Sequence, residues 1–329
     1  MPLESPPGGV HVVFGAGQIG PLVAARLRSR GRAVRVVRRS AAPVAVPGAE
    51  VLHGDAMDAA FCAEAVRGAA AVYHCINAPY FARVWAQVLP RVQENLIAAA
   101  GREGARLVVL DNVYALGRPG GRPLSEDSPI APCSRKGEIR ARLAEALAAA
   151  SRRGDVRAVV GRASDFYGPG GVSTYFNAMF WRRALAGRGG PFLADPDSPH
   201  TYHYVDDVAE GLAALGEDEG AAGTWMLPCA PAEPTHALVA RFAAALGRPI
   251  PVKRVPPWAI AALGLVVPLV REVREMAYQW EEPFVVDDGR FRARYGDRVT
   301  PPDAAAHATV AWARAAFGPP AAASRAPAS

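Results

Sequence analysis

Six residues near the start of the chain, Gly15-Ala16-Gly17-Gln18-Ile19-Gly20, have the types and spacing to hold a pyrophosphate. In such a turn the first glycine permits the tight bend and the second lets the main chain approach the phosphates. The third lets a helix pack closely on a strand, whose first amides then face the anion. The chemistry this predicts is dinucleotide binding. About 20 residues further on, an NAD site places an acid against the ribose hydroxyls. Here Arg35, Arg38 and Arg39 stand instead. A guanidinium fork matches a 2′-phosphate, so NADP(H) is favoured over NAD(H). His200 and His203, next to Asp206 and Asp207, have metal-like spacing. A zinc site needs ligands converging from several elements, so the segment reads as a solvated loop and no metal is expected.

The glycine turn works only between a strand and a helix, and the pattern supplies both. Residues 10–14 are apolar apart from His11; Ile19, Leu22, Val23 and Leu27 recur at helical spacing, and 33–37 is again strand-like. Further strands are expected at 50–53, 71–76, 106–110 and 156–161. Helices are expected between them at 58–67, 83–100 and 135–152, the second kinked or split by Pro90. That alternation means a Rossmann-type, doubly wound parallel α/β sheet over residues 10–168. Beyond it, helices at 172–186, 205–215, 234–246, 258–280 and 302–317, with short strands at 201–204 and 252–255, predict a mostly helical part over 169–317. It would return to the sheet and cover a substrate at the sheet's carboxyl edge. Residues 1–9 read as a disordered lead-in, and 318–329, nearly all Ala, Pro and Ser, as a disordered tail.

Composition narrows the partners. The 329 residues, half of them hydrophobic, can bury a full core. The net charge of +6 comes from scattered arginines with no basic run, so nucleic acid is not expected. The apolar stretch 258–270 contains Gly264 and Pro268 and is shorter than the roughly 20 residues of a span, so no membrane partner is expected either. Cys62, Cys75, Cys133 and Cys229 lie far apart without metal or disulfide spacing, which fits a reducing cytoplasm.

The ordered set GAGQIG at Gly15, HGDAMD at His53, DNVYALG at Asp111, GRASDFYGPG at Gly161 and YHYVDDVAEGL at Tyr202 resembles the extended short-chain dehydrogenase/reductase superfamily. Within it, the chain is similar to NAD-dependent epimerase/dehydratase-type proteins. The resemblance implies that Asp55 bonds the adenine amino group, that Ala56 lines the adenine pocket, and that Cys75, Asn77 and Ala78 lie along the nicotinamide-side ribose. It places Arg162, Ala163 and Ser164 beside the nicotinamide, and makes Asp206 and Asp207 helix-capping residues. A small-molecule substrate and a homodimer are further implications.

Such proteins use Tyr-x-x-x-Lys, the lysine holding the ribose and lowering the tyrosine's pKa while the tyrosine moves the proton. In Pro132-Cys133-Ser134-Arg135-Lys136 the lysine is matched by Lys136, but Pro132 stands at the tyrosine's place, and Asn112 replaces the serine or threonine ending the fifth strand. Three readings stay open. Another donor substitutes, Tyr114 first, then Tyr167, Ser134 and Cys133, whose thiol beside Arg135 and Lys136 would be acidified, with Asn112 orienting a carbonyl. Or solvent gives the proton and Lys136 only places the cofactor. Or the protein binds NADP(H) as a redox-sensing regulator. The leading expectation is an NADP(H)-dependent oxidoreductase acting on a small carbonyl or alcohol; nucleotide-sugar epimerisation or dehydration with NAD is the alternative enzyme.

Overall fold

The computed structural model describes residues 9–172, 174–192 and 195–318. The expected lead-in and tail, apart from Gly9 and Gly318, lie outside them. Along the chain run β1 (Val10–Phe14), α1 (Gly20–Ser29), β2 (Ala33–Arg38), β3 (Glu50–His53), α2 (Ala59–Ala65), β4 (Ala69–His74), α3 (Ala82–Arg102), β5 (Arg106–Asn112), α4 (Arg135–Arg152) and β6 (Arg157–Ala163). Then follow β7 (Asp165–Tyr167), α5 (Ala178–Leu185), β8 (Gly190–Phe192), β9 (Pro199–His200), β10 (Tyr202–Tyr204), α6 (Val205–Glu217), β11 (Gly223–Met226), β12 (Glu233–Pro234), α7 (Thr235–Leu246) and β13 (Val252–Arg254). The last elements are α8 (Pro257–Val266), α9 (Pro268–Arg274), α10 (Gly289–Tyr295) and α11 (Pro302–Phe317).

Seven strands form one sheet in the order β11-β6-β5-β4-β1-β2-β3. Every neighbouring pair in it is parallel. This is the doubly wound Rossmann arrangement the alternating pattern predicts, because right-handed crossovers force helices onto both faces. One apolar layer sits between the sheet and α1, α6 and the C-terminal helices; another is closed by α2, α3 and α4. Chain order reverses at β1, which lies between β4 and β2, and ligands of such sheets bind at that switch point.

Three elements depart from the sequence pattern. Pro90 does not split α3, which runs through it from Ala82 to Arg102. Losing a helix bond and crowding the turn costs about 3 kcal/mol, and the burial of Trp85, Leu89, Val92 and Leu96 along one face offsets it. The helix expected from 172 starts only at Ala178, because Asn177 accepts from the amides of Met179 and Phe180 at 2.9 and 3.2 Å and caps it there. The stretch 258–280 is not one helix: Pro268 begins α9 after α8 has ended at Val266, and Ala277–Trp280 form a separate 3-10 turn. The patterning also passed over β11, which joins the main sheet beside β6, and over α10.

Candidate functional site

The glycine turn joins β1 to α1. Gly15 has φ +103°, and a Cβ there would meet the Cys75 main chain at 2.9 Å. A Cβ on Gly20 would lie 1.8 Å from the Gly15 carbonyl oxygen, so the helix can approach its strand only without one. Gly17 is the opposite case: nothing lies within 4 Å of where its Cβ would be. Two positions where the chain touches itself and one that faces open space make the cradle a pyrophosphate requires. Its walls are set by the sheet, with Gly15 N–H donating to Val37 O at 2.9 Å and Cys75 N–H to Phe14 O at 2.9 Å. Ile19 is buried at the mouth of α1, and Gln18 donates from Nε2 to Pro169 O at 3.2 Å, fastening the turn to the loop after β7.

The three arginines separate in role. Arg35 points away, bonded to Glu50 at 2.8 Å and to the Ala65 carbonyl at 2.7 Å. Arg38 ends β2 and is bound to the following loop through Pro43 O at 2.9 Å and Ser40 Oγ at 2.6 Å. Arg39 is 80% exposed and 4.0 Å from Asp55. Asp55 itself accepts from the Met57 amide at 3.0 Å, which folds the turn after β3, and the buried Ala56 accepts at its carbonyl from Asn95 at 2.9 Å.

Beyond β4, Asn77 Oδ1 accepts from the Ala78 amide at 3.0 Å and from Arg140 of α4 at 3.2 Å. Burial pushes the Cys75 thiol up to about 12. Beyond β5, Asn112 Oδ1 accepts from the Tyr114 amide at 3.1 Å, closing the short 3-10 turn that holds Tyr114. The Tyr114 ring stacks on Trp85 with centroids 6.2 Å apart, and its hydroxyl lies 3.3 Å from that of Tyr80. Burial, then the Asp165 carboxylate, raises the Tyr114 phenol well above its usual range; Tyr80 and Arg140 oppose the rise. Across β5 and β6, Asn112 pairs with Ala163 and Asp111 with Arg162. Arg162 donates to Asp111 at 3.1 Å. Ser164 donates to the Thr201 carbonyl, and its amide donates to His203 Nδ1 at 3.2 Å.

Lys136 does not join this group. Its Nζ is fully buried, donates to the Glu272 carboxylate and to the Glu272 carbonyl at 3.2 Å, and sits 4.6 Å over the Tyr80 ring. The cation that reaches Asn77 and Asp111 is Arg140, one helical turn later. It lies 3.4 Å from Asp111 and 4.7 Å over the Trp85 ring, is buried, and has an unpartnered Nε. With Arg162 it gives Asp111 two guanidinium neighbours. Burial, then Arg140, pushes His74 down to about 4, so it adds no charge at neutral pH. The pattern Lys136-x-x-x-Arg140 repeats the spacing of Tyr-x-x-x-Lys, and that repeat is the signal by which Arg140 could have been found in the sequence.

Other expected residues serve the fold. Ser134 Oγ accepts from the Gly137 amide at 3.0 Å and caps α4, so its hydroxyl is engaged. Tyr167 is buried among Tyr204 and Phe242. The Cys133 thiol is raised, not acidified: burial outweighs the Arg118 charge beside it. His200 and His203 are not in a solvated loop. His200 is buried between Trp280 and Phe284 and meets Asp165 at 3.0 Å; His203 holds Ser164 and faces the Leu227 carbonyl at 3.2 Å. Nor does either aspartate cap α6 with its side chain. Asp206 pairs with Arg26 at 3.4 Å, while Asp207 accepts from the Thr300 amide and hydroxyl. Sequence reasoning passed over Glu272, Arg140 and the Asp165–His200 pair because their partners lie 136, 63 and 35 residues away.

A parallel sheet with this glycine cradle at its switch point defines a Rossmann dinucleotide-binding protein. The model of the NAD dependent epimerase/dehydratase family matches residues 11–225, and the chain belongs to that family of enzymes. No curated protein matches the sequence. Among solved structures, the UDP-glucose 4-epimerase of Thermotoga maritima, with UDP-glucose, superposes with a TM-score of 0.77 at 18% identity over 94% of this chain and 99% of that one. The dTDP-glucose 4,6-dehydratase DesIV of Streptomyces venezuelae, with NAD bound, gives 0.76 at 20% identity over 94% and 98%. The UDP-glucose 4-epimerase of Thermus thermophilus, in complex with NAD, gives 0.73 at 22% over 93% and 99%. A nicotinamide dinucleotide is the cofactor class of this family.

Proposed function

We propose that the protein is an NADP(H)-dependent oxidoreductase of the extended short-chain type, acting on a small carbonyl or alcohol in the cytoplasm. The observation that carries the reading is the buried cation at the site: Arg140 stands between Asn77 and Asp111, beside Tyr114, with Nε free to bond. The glycine cradle would hold the pyrophosphate, Asp55 and Ala56 the adenine end, and Cys75, Asn77, Ala78 and the segment from Arg162 through Ser164 the nicotinamide end. When bound, the nicotinamide supplies or accepts the hydride. Arg140 would take the lysine's part toward the cofactor and would lend positive charge to a developing alkoxide, an effect large in a buried site. A guanidinium gives up no proton, so Tyr114, protonated at all working pH values, is the donor, positioned by Asn112. Lys136 locks α9 onto α4. Arg39, exposed beside the adenine end, is the residue that selects the 2′-phosphate, while Arg38 shapes the loop.

A second reading, nucleotide-sugar epimerisation or dehydration with NAD, is favoured by what the structural neighbours act on. The experiment that tests the proposal is calorimetric titration with NADPH and NADH, on wild type and on Arg39→Ala, followed by a carbonyl screen with wild type, Tyr114→Phe and Arg140→Ala. Tighter NADPH binding that Arg39→Ala abolishes, with cofactor consumed in the screen, is the expected result. Tightly retained NAD and turnover without net consumption would establish the second reading. Binding of both redox forms with no turnover would mark a regulator, and no binding of either cofactor would overturn the proposal.

A further inference from the structure

The chain between Arg254 and Arg271 carries no charged residue. Soluble proteins rarely expose a contiguous apolar surface of this kind without a partner for it. Folded as α8 and α9, it leaves its apolar side chains outside: Leu265 is 84% exposed, Val266 76% and Trp258 74%, with Leu263, Val267 and Leu269 also open to solvent. The inner face is firmly seated. Glu272 accepts from the Ala82 amide at 3.1 Å and pairs with Lys136, and Glu275 pairs with Arg135 at 3.1 Å.

The charges at the rim of this hairpin divide by sign. Glu272 of α9 and Glu275 just after it turn inward to Lys136 and Arg135. The cations stay outside: Lys253, Arg271 and Arg274 are exposed and form no ion pair among the described residues, while Arg254 lies 3.7 Å from Asp195. An apolar tip bearing an outward tryptophan, with Lys253, Arg271 and Arg274 unpaired at its rim and the exposed acid Glu138 outnumbered in the depression it shares with Arg271 and Arg274, is complementary to one surface in particular. That surface is the headgroup region of an anionic bilayer, where apolar side chains enter the acyl boundary, tryptophan sits at headgroup depth and each cation adds attraction. A second copy of the chain fits worse, because an isologous contact through the tip would face one cationic rim with the other.

We propose that the α8–α9 hairpin is a monotopic docking surface that seats the protein on anionic membranes. It lies on the bilayer and does not cross it, since no helix among the described residues is long and apolar enough to span. This reverses the expectation of no membrane partner, and it stands independently of the proposed reaction. The test is sedimentation of the full chain with vesicles of phosphatidylcholine alone and of phosphatidylcholine with phosphatidylserine. The variants are Leu265→Asp with Val266→Asp, and Arg271→Glu with Arg274→Glu, each checked by thermal unfolding; all four side chains are solvent-exposed, so folding is retained. Wild type is expected to sediment with the serine-containing vesicles. The aspartate pair should weaken this at least tenfold, and the charge reversal by about fivefold or more per residue, with added salt acting in the same direction. A wild-type protein that stays in the supernatant, or an aspartate pair that binds like wild type, overturns the proposal. So does a wild-type dimer that ignores vesicles and becomes monomeric in the aspartate pair, which would make a second copy the occupant.

Discussion

Replacing Gly17 and Gly20 by alanine, one at a time, separates the two jobs of the glycine turn. At Gly20 the new methyl would lie 1.8 Å from the Gly15 carbonyl oxygen, a main-chain atom that can yield only by moving the turn. Overpacking of this kind costs about 1–3 kcal/mol or more, and Gly20→Ala should lower the unfolding midpoint in urea accordingly. At Gly17 the methyl meets nothing within 4 Å, and the backbone there is not in the left-handed region. Gly17→Ala should therefore be neutral or stabilise by about 0.4–1 kcal/mol through the unfolded chain. In the proposed cofactor site the open space it fills would take the pyrophosphate, so the same roughly 1–3 kcal/mol of overcrowding would fall on the complex alone. That weakens NADPH or NADH binding by about fivefold to 150-fold. The paired assay is urea unfolding without cofactor and calorimetric titration with it. If Gly17→Ala binds both cofactors like wild type, the argument from the empty space is wrong.

Further predictions bear on charge and burial. Arg140→Ala should lose turnover and also cost about 3–5 kcal/mol of stability, because it strips one of two cations from a buried aspartate; Arg140→Lys should recover stability more fully than turnover, as read by unfolding and steady-state rates. Burial raises Asp207 to about 6, so the folded state binds its proton more tightly than the unfolded chain does. Stability from this group is present at low pH and is lost as pH rises from about 4 through about 6, by up to about 3 kcal/mol; Asp207→Asn should flatten that part of a urea-midpoint against pH curve. With the thiols of Cys62 and Cys229 buried and that of Cys75 pushed up to about 12, a maleimide at neutral pH should label Cys133 first, and mass mapping that finds Cys62 or Cys229 labelled first would contradict the packing.

The sheet was legible because its signals are local. A continuous apolar run makes a buried parallel strand, and the strand expected at 50–53 and the helix at 135–152 coincide with β3 and α4 to the residue. The glycine cradle was legible for the same reason, its geometry being written in six adjacent residues. What escaped depended on distance along the chain. Nothing near Lys136 announces that its counter-ion comes from Glu272, and a lysine with no local acid reads as free. Pro90 reads as a helix breaker until the burial of Trp85 and Leu89 on the same helix is known. His200 and His203 look like a polar loop because the rings of Trp280 and Phe284, which enclose the first, belong to a segment some 80 residues later.

The ion pair between Lys136 and Glu272 also fixes what counts as a folding unit. The family match ends at residue 225, inside the last strand of the sheet, yet the charge that neutralises the buried lysine of α4 arrives almost fifty residues later. A fragment stopped at the end of the sheet would keep every strand of that sheet and lose both carboxylates, Glu272 and Glu275, that face the Lys136 ammonium. It would also lose α7, α10 and α11, which share the apolar layer on that face of the sheet, so the sheet and its helical cover are expected to melt in one transition.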